Sequence, residues 1–581
     1  MDIQSLISEI DISAVSRDIQ WMVDNTPYRI AGSEDERKGA AWVVGQMKQA
    51  GLEVRDDVFS AYNSFPKTSK LELLAPHHEL IDSLPYAHIR STPPEGAEFE
   101  LLYLGNGSVQ DYDGLDAAGK LVLVEVSYAP PVPEKARIAK QMGAAGIICM
   151  NWGNDERVIC NRGLKAVWGN PTEETVGNMP DIVGLGVTRT DGLRLKELCQ
   201  SGAGVRVRAT SVAEHAWSPV HQPLGILRGN GKSDQFILVG SHLDAWYPGV
   251  TCNATGNATA LELCRILARH RDQPDRDIWF CFWTGHEIAE AAGSTWLVDN
   301  YWDELNESCV AYVNIDSTGM REATLYEIKA SDELYDYTHG IAREVLTEDI
   351  RMMALPKIGD QSFFGIGVPS TAQRMSFTEE YIKRGHGVTL GWWNHTDQDS
   401  FDKYSPENIE KDLKVLLRLL AGMAGEAVVP YRFERFFSTM GERLAQAIES
   451  GQGCMDLAPL RAAFEKTRDA VLGLQARAGE IQTDRQRQSY NRFLLSVSRR
   501  LSNVFKTYAG KYQQDSYGYG KLSRPVPLLA DLDRLPALEP DSLEYGMVET
   551  QLVKNRNRIS DGLYAARELA ELYTAAIFGA Q

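Results

Sequence analysis

The sequence holds no apolar run near the ~20 residues that a membrane-crossing helix needs, so no membrane span is expected. It has no excess of basic charge. Lys and Arg number 60 against 79 Asp and Glu, a net charge of −19 spread along the chain rather than gathered in a tail. That balance argues against nucleic acid and anionic membrane as partners and for a solvated surface. The eight cysteines form no CxxC pair. Cys149, Cys264 and Cys281 sit inside apolar segments and read as small core residues. The opening MDIQSLISEIDISAVSRDIQW has no basic n-region and interleaves apolar residues with acids, so it is not read as a signal peptide. Together these point to a reducing cytoplasm.

Several catalytic motifs are missing as well. HEIAE ends on Glu290 and is not HExxH. GVTCNATGNATA has neither GK[ST] nor the GxGxxG spacing, which removes phosphate loops and dinucleotide sites. GSTW and GSHLD lack the GxSxG nucleophile elbow.

What is present concentrates between Phe236 and Gly319. Three short apolar runs, Phe236–Val239, Ile278–Trp283 and Val310–Ile315, are rich in β-branched and aromatic residues. Each is followed closely by polar residues: His242 and Asp244, then His286 and Glu287, then Asp316. Segments of helical spacing such as Ala258–Ala268 lie between them, which predicts a mostly parallel α/β sheet. Ligands collect at the carboxyl ends of such strands, so these residues are expected to share one site. Downstream, GWWNHTDQDSFDKYSP supplies His395. Imidazole and carboxylate suit zinc, and also manganese or iron.

The order HLD, GVTCNATGNA, GHE, NIDSTG, NHTDQD resembles the co-catalytic zinc aminopeptidases, in particular the glutamate carboxypeptidase and transferrin receptor branch. The resemblance makes His242, Glu287, Asp316 and His395 metal ligands and Asp244 the carboxylate that orients His242. Two central positions depart from the family pattern. Cys252 stands where a bridging Asp is expected, and His286 where a general-base Glu is expected. A thiol cannot offer one hard oxygen to each of two ions, so a single tightly held divalent ion, zinc before manganese or iron, is expected. His286 takes the catalytic role, its ordinary pKa near ~6.5 suiting a base at neutral pH.

The resemblance also organises the chain. Residues 1–61 and 218–427 form a metallopeptidase-like catalytic domain, a mostly parallel sheet sandwiched by helices. Residues 62–217 are similar to a β-rich protease-associated insert, either a cleft wall or a purely architectural module, with NDERVICNRGLK and GNPTEETVGN as loops facing the cleft. Residues 428–581 show apolar residues at three- and four-residue spacing and resemble a helical dimerisation domain, which implies a homodimer. Trp392 and Trp393 are candidates for an aromatic wall, and Arg374, Arg384 and His386 for substrate contacts.

Three functions fit. The first is a metal-dependent hydrolase of a short peptide or small amide. The second is a single-metal enzyme performing deamination, ring opening or elimination on a small molecule. The third is a non-catalytic, transferrin-receptor-like binding protein.

Overall fold

A computed structural model describes residues 2–154 and 157–579. Its centre is a sheet whose strands run, side by side, Ile350–Ala354, Leu325–Ala330, Ser370–Ser376, Cys309–Asn314, Phe236–His242, Asp277–Trp283 and Arg206–Leu227. The Phe236–His242 strand lies between Asp277–Trp283 and Cys309–Asn314 and is parallel to both. The three segments that carry the candidate ligands therefore end side by side on one edge of the sheet.

Alternation along these strands explains why they are apolar throughout. Successive side chains point to opposite faces, and here both faces are covered. Ile237, Val239, Ile278, Phe280, Phe282 and Val313 face one core, which also takes the helices Thr255–Arg269 and Pro406–Gly425. Phe236, Leu238, Trp279, Cys281, Trp283 and Tyr312 face a second core with Leu297, Leu305 and Phe363. Gly240 permits this packing, because a Cβ there would stand 2.2 Å from the Trp283 indole nitrogen.

A ribbon of two long antiparallel strands, Glu53–Ala75 and Arg206–Leu227, leaves this sheet and carries the insert at its far end. GLEVRDDVFSA reads as a strand from sequence, but the strand continues some fourteen residues beyond Ala61, to Ala75. Pro66 does not stop it because the ladder shifts register between Pro66 and Thr68, where a missing N–H costs nothing. Within the insert the buried parallel strands Leu121–Glu125, Gly146–Met150 and Val183–Val187 are flanked by helices Val132–Gln141 and Arg189–Gln200.

The C-terminal region holds helices Glu434–Ser450, Ala458–Ala476, Asp484–Phe505 and Leu543–Phe578. Arg499 anchors it to the sheet. Its guanidinium donates to the carbonyls of Gly367 at 2.7 Å, Leu305 at 3.0 Å, Asn306 at 3.2 Å and Cys309 at 2.6 Å. Charged donors on buried carbonyls are among the stronger hydrogen bonds, and their loss strands four acceptors. Arg499→Ala is expected to destabilise the chain by about 3 kcal/mol, read as a lower first transition in a chemical unfolding curve.

Candidate metal centre

The strand ends converge as the sequence suggests. His242 Nε2 is 3.4 Å from Asp316 Oδ1, and His395 Nε2 is 3.1 Å from Glu287 Oε2. Cys252 lies between the two pairs. Its Sγ is 3.8 Å from His242 Nε2, 3.5 Å from Glu287 Oε1 and 3.5 Å from His395 Nε2. The donor atoms of His242, Cys252 and Asp316 fall within 4.8 Å of one another, as do those of Cys252, Glu287 and His395. So do those of His242, His286 and Glu287.

Each ligand is oriented from behind. His242 Nδ1 is 2.9 Å from the main-chain carbonyl of Asp244, and His395 Nδ1 is 3.1 Å from that of Asn161. A proton on Nδ1 of His242 leaves its Nε2 with a lone pair for an ion, and the Asn161 carbonyl favours the same tautomer of His395, against the nearby Arg162 guanidinium, which favours the other. The expected role of Asp244 changes in detail here. Its carbonyl, not its carboxylate, meets His242. The carboxylate instead accepts the backbone N–H of His286 at 3.0 Å and of Glu287 at 2.9 Å. A short side chain two residues from His242 reaches the neighbouring strand end more easily than it can turn back on its own chain.

The loop after the first strand is held in the same way. Asn253 donates to Ser241 Oγ and to the carbonyls of His242 and Ile315, and accepts from the N–H of Ser317. It thus ties the ends of two strands together. Gly256 makes room for it, since a Cβ there would lie 2.2 Å from Asn253 Oδ1. Asp399 accepts from the backbone of Thr251 and Cys252, which fastens the His395 loop to Cys252.

His286 lies against the ligands. Its ring stacks on His242 with centroids 3.9 Å apart, and its Nδ1 is 3.0 Å from Asp360 Oδ2. Asp360 belongs to GDQSFF, and no spacing in the sequence pairs it with His286. Burial opposes charge on His286, but Asp360, with Glu287 and Asp316 nearby, lifts its pKa well above the ordinary value. Burial works against Glu287 as well, yet His395, His286 and His242 hold it down at about 2. Burial and then Glu287 and Asp316 push the Cys252 thiol far up.

The ligands open onto a cavity of about 510 Å³. One side is cationic. Arg374 donates to the Asp316 carbonyl at 3.0 Å, and Lys329 and Arg351 both pair with Glu327. The insert supplies Tyr128 and Arg162, and the segment between the C-terminal helices supplies Tyr517 and Gly518. Arg162 reaches His395 Nδ1 at 3.0 Å and Asn394 Oδ1 at 3.1 Å. NDERVICNRGLK therefore faces the cavity through Arg162, while its Asp155 and Glu156 lie outside the described residues.

Of the substrate contacts expected from sequence, Arg374 alone lines the cavity. Trp393 is buried and spends its N–H on Thr251 Oγ1 at 2.9 Å, and Trp392 is half-buried with Lys403 over its ring. The aromatic wall is thus core packing for the His395 loop. His386 and Arg384 are exposed and lie outside the cavity lining. Sequence proximity to His395 misleads for all four, because the loop turns between Gly385 and His395. The residues missed, among them Arg162, Glu290, Lys329, Asp360 and Tyr517, come from segments remote in sequence and carry no shared spacing.

The fold gathers two imidazoles, two carboxylates and a cysteine at the ends of parallel strands and on two adjoining loops, a donor set of the class that holds a divalent ion. Residues 224–420 match the profile of Peptidase family M28, and residues 93–195 that of the PA domain. Over these residues the chain is similar to proteins of the co-catalytic zinc aminopeptidase superfamily. It is similar to the probable glutamate carboxypeptidase VP8 of Zea mays, 23% identical over 343 residues, 49% of this chain and 48% of that protein. It is also similar to aminopeptidase YwaD of Bacillus subtilis (strain 168), 27% identical over 400 residues, 66% of this chain and 78% of that protein. The match thus spans about half the length of the maize protein. Among solved structures, the zinc aminopeptidase BSAP from Bacillus subtilis shares the fold, with a TM-score of 0.54 at 19% identity, covering 72% of this chain and 96% of that one.

The donors fit a divalent ion, since each imidazole presents Nε2 and each carboxylate is buried beside it. Glu287→Ala and His395→Ala are each expected to lower bound zinc at least tenfold, as losses around a metal site commonly do. Trp392→Ala should leave the zinc content near that of the parent chain, all by elemental analysis.

Proposed function

We propose that the protein is a metal-dependent hydrolase of a short peptide or small amide. The observation that carries this reading is the placement of the His286–Asp360 pair against the ligand set at the wall of one cavity. A divalent ion held by His242, Asp316, Glu287 and His395 would supply Lewis-acid polarisation and an acidified water at that place. His286 does the proton work. With Nδ1 committed to Asp360, which favours the charged ring, its Nε2 gives a proton to the leaving nitrogen and recovers one from the attacking water. Arg374, with Lys329 beyond it, is suited to a carboxylate of the substrate. The M28 match and the peptidase relatives support hydrolysis, and favour neither the deaminase or lyase alternative nor a non-catalytic binding protein.

One ion per chain is the expected stoichiometry. Glu287 and Asp316 carry two negative charges, which balance one dication, whereas a second ion would add uncompensated charge to a buried site. Cys252 offers a single sulfur in place of two carboxylate oxygens. We assign the protein to the cytoplasm on its free cysteines, and none of the described helices is long and apolar enough to cross a membrane.

A twofold homodimer is the proposed assembly, supported by Leu543, Met547 and Leu572, which stand 81%, 59% and 61% exposed on the last helix. A light-scattering mass near twice 64.7 kDa is expected at micromolar concentration, and a mass of one chain would refute the dimer. For the reaction, a panel of dipeptides, aminoacyl-anilides and small amides is expected to include a substrate. His286→Ala should lower kcat on it by at least about 100-fold while keeping one ion bound. Full activity in that variant, or two ions in the parent chain, would overturn this account.

A further inference from the structure

The buried acids around the ligands are nearly all spoken for by the protein itself. Asp244 and Asp399 accept backbone N–H groups, Asp360 pairs with His286, Asp316 with His242 and Glu287 with His395. Glu290 differs. It is 8% exposed and lines the cavity, yet its carboxyl group has no hydrogen bond and no ion pair among the described residues. Lys165 lies close enough to influence it, but the Lys165 ammonium donates to the Ala289 carbonyl at 2.6 Å.

The side chain is also fixed in place. His88 holds the carbonyl of Ile288, Lys165 that of Ala289, and the N–H of Gly169 that of Glu290 at 2.7 Å. Three contacts from the insert thus pin the main chain, and Glu290 and Ala291 both adopt left-handed backbone angles, φ 51° and 59°. The strap fixes the point from which the Glu290 side chain enters the cavity. A carboxyl group that lines a cavity with no donor from the protein is placed to take one from a ligand.

The sheet order sets what that ligand carries. Arg374 and Lys329 stand on the strands beyond Asp316, while Glu290 follows the Asp277–Trp283 strand on the other side of the ligand row. The cavity is therefore cationic at one end and acidic at the other. We propose that Glu290 is a specificity-determining residue that receives a cationic side chain of the substrate, a lysine-type amine or a guanidinium. This rests on reading the cavity as the substrate site and not on which bond is cut.

The test uses the full-length, zinc-loaded protein and two probes that differ only in the ε-ammonium group, L-lysine amide and L-norleucine amide, titrated by calorimetry. The parent chain is expected to bind the lysine amide roughly tenfold more tightly, the effect of one well-placed charge-assisted hydrogen bond. In Glu290→Gln the preference should fall to about twofold or less, and in Glu290→Leu it should reverse. Thermal melting of each variant establishes that it is folded, and Glu290→Gln keeps the side-chain shape if the leucine does not fold. No preference in the parent chain, or an unchanged preference in a folded variant, overturns the proposal. Dipeptides ending in lysine or norleucine separate it from the hydrolase reading. If neither is cleaved but the Glu290-dependent preference is present, the hydrolase reading fails and this one stands. Cleavage with no preference gives the reverse.

Discussion

The site depends on carboxylate and amide side chains that hold backbone groups rather than ions. Asp244 fixes the N–H groups of His286 and Glu287, Asn253 joins the ends of two strands, and Asp399 ties the Cys252 loop to the His395 loop. Segments ending on parallel strands have no ladder partner beyond the sheet edge, and buried main-chain N–H groups must be satisfied by something. Here three side chains satisfy them, and in doing so set the separations of the ligands. The polar residues that touch no ion are as necessary to the geometry as those that would.

The insert participates in that geometry directly. The Asn161 carbonyl orients His395, Arg162 reaches the same imidazole, and His88, Lys165 and Gly169 hold the chain just after Glu287. The long ribbon of Glu53–Ala75 and Arg206–Leu227 makes this possible by carrying the insert out and returning it over the strand ends. The helical region closes the cavity through Tyr517 and Gly518, with Ser516 donating to Glu134 of the insert at 2.7 Å. All three regions of the chain thus meet at one cavity.

Cys252 and His286 change the chemistry without changing this frame. Cys252 occupies the point where the two ligand pairs meet, as a bridging group would, with a thiol that burial and two carboxylates keep protonated. His286 keeps its place against the ligands and is steered by Asp360. The backbones at both positions are held in the same way, through Asp399 at Cys252 and Asp244 at His286.

The sequence by itself determined the sheet, the strand ends and the candidacy of His242, Glu287, Asp316 and His395, which the fold brings together. Short continuous apolar runs rich in β-branched and aromatic residues make Phe236–Val239, Ile278–Trp283 and Val310–Ile315 legible as strands, and polar residues just past parallel strands gather at the sheet edge. The motif order around His242, Cys252, His286, Asp316 and His395 was legible too. Tertiary structure decided the rest. That Trp393 is core, that His386 faces solvent, that Asp360 pairs with His286, and that Arg162, Glu290 and Tyr517 meet at one cavity depend on contacts between segments tens to hundreds of residues apart. Such contacts leave no local period in the chain, because what brings them together is the packing of whole domains and not the spacing of neighbouring residues.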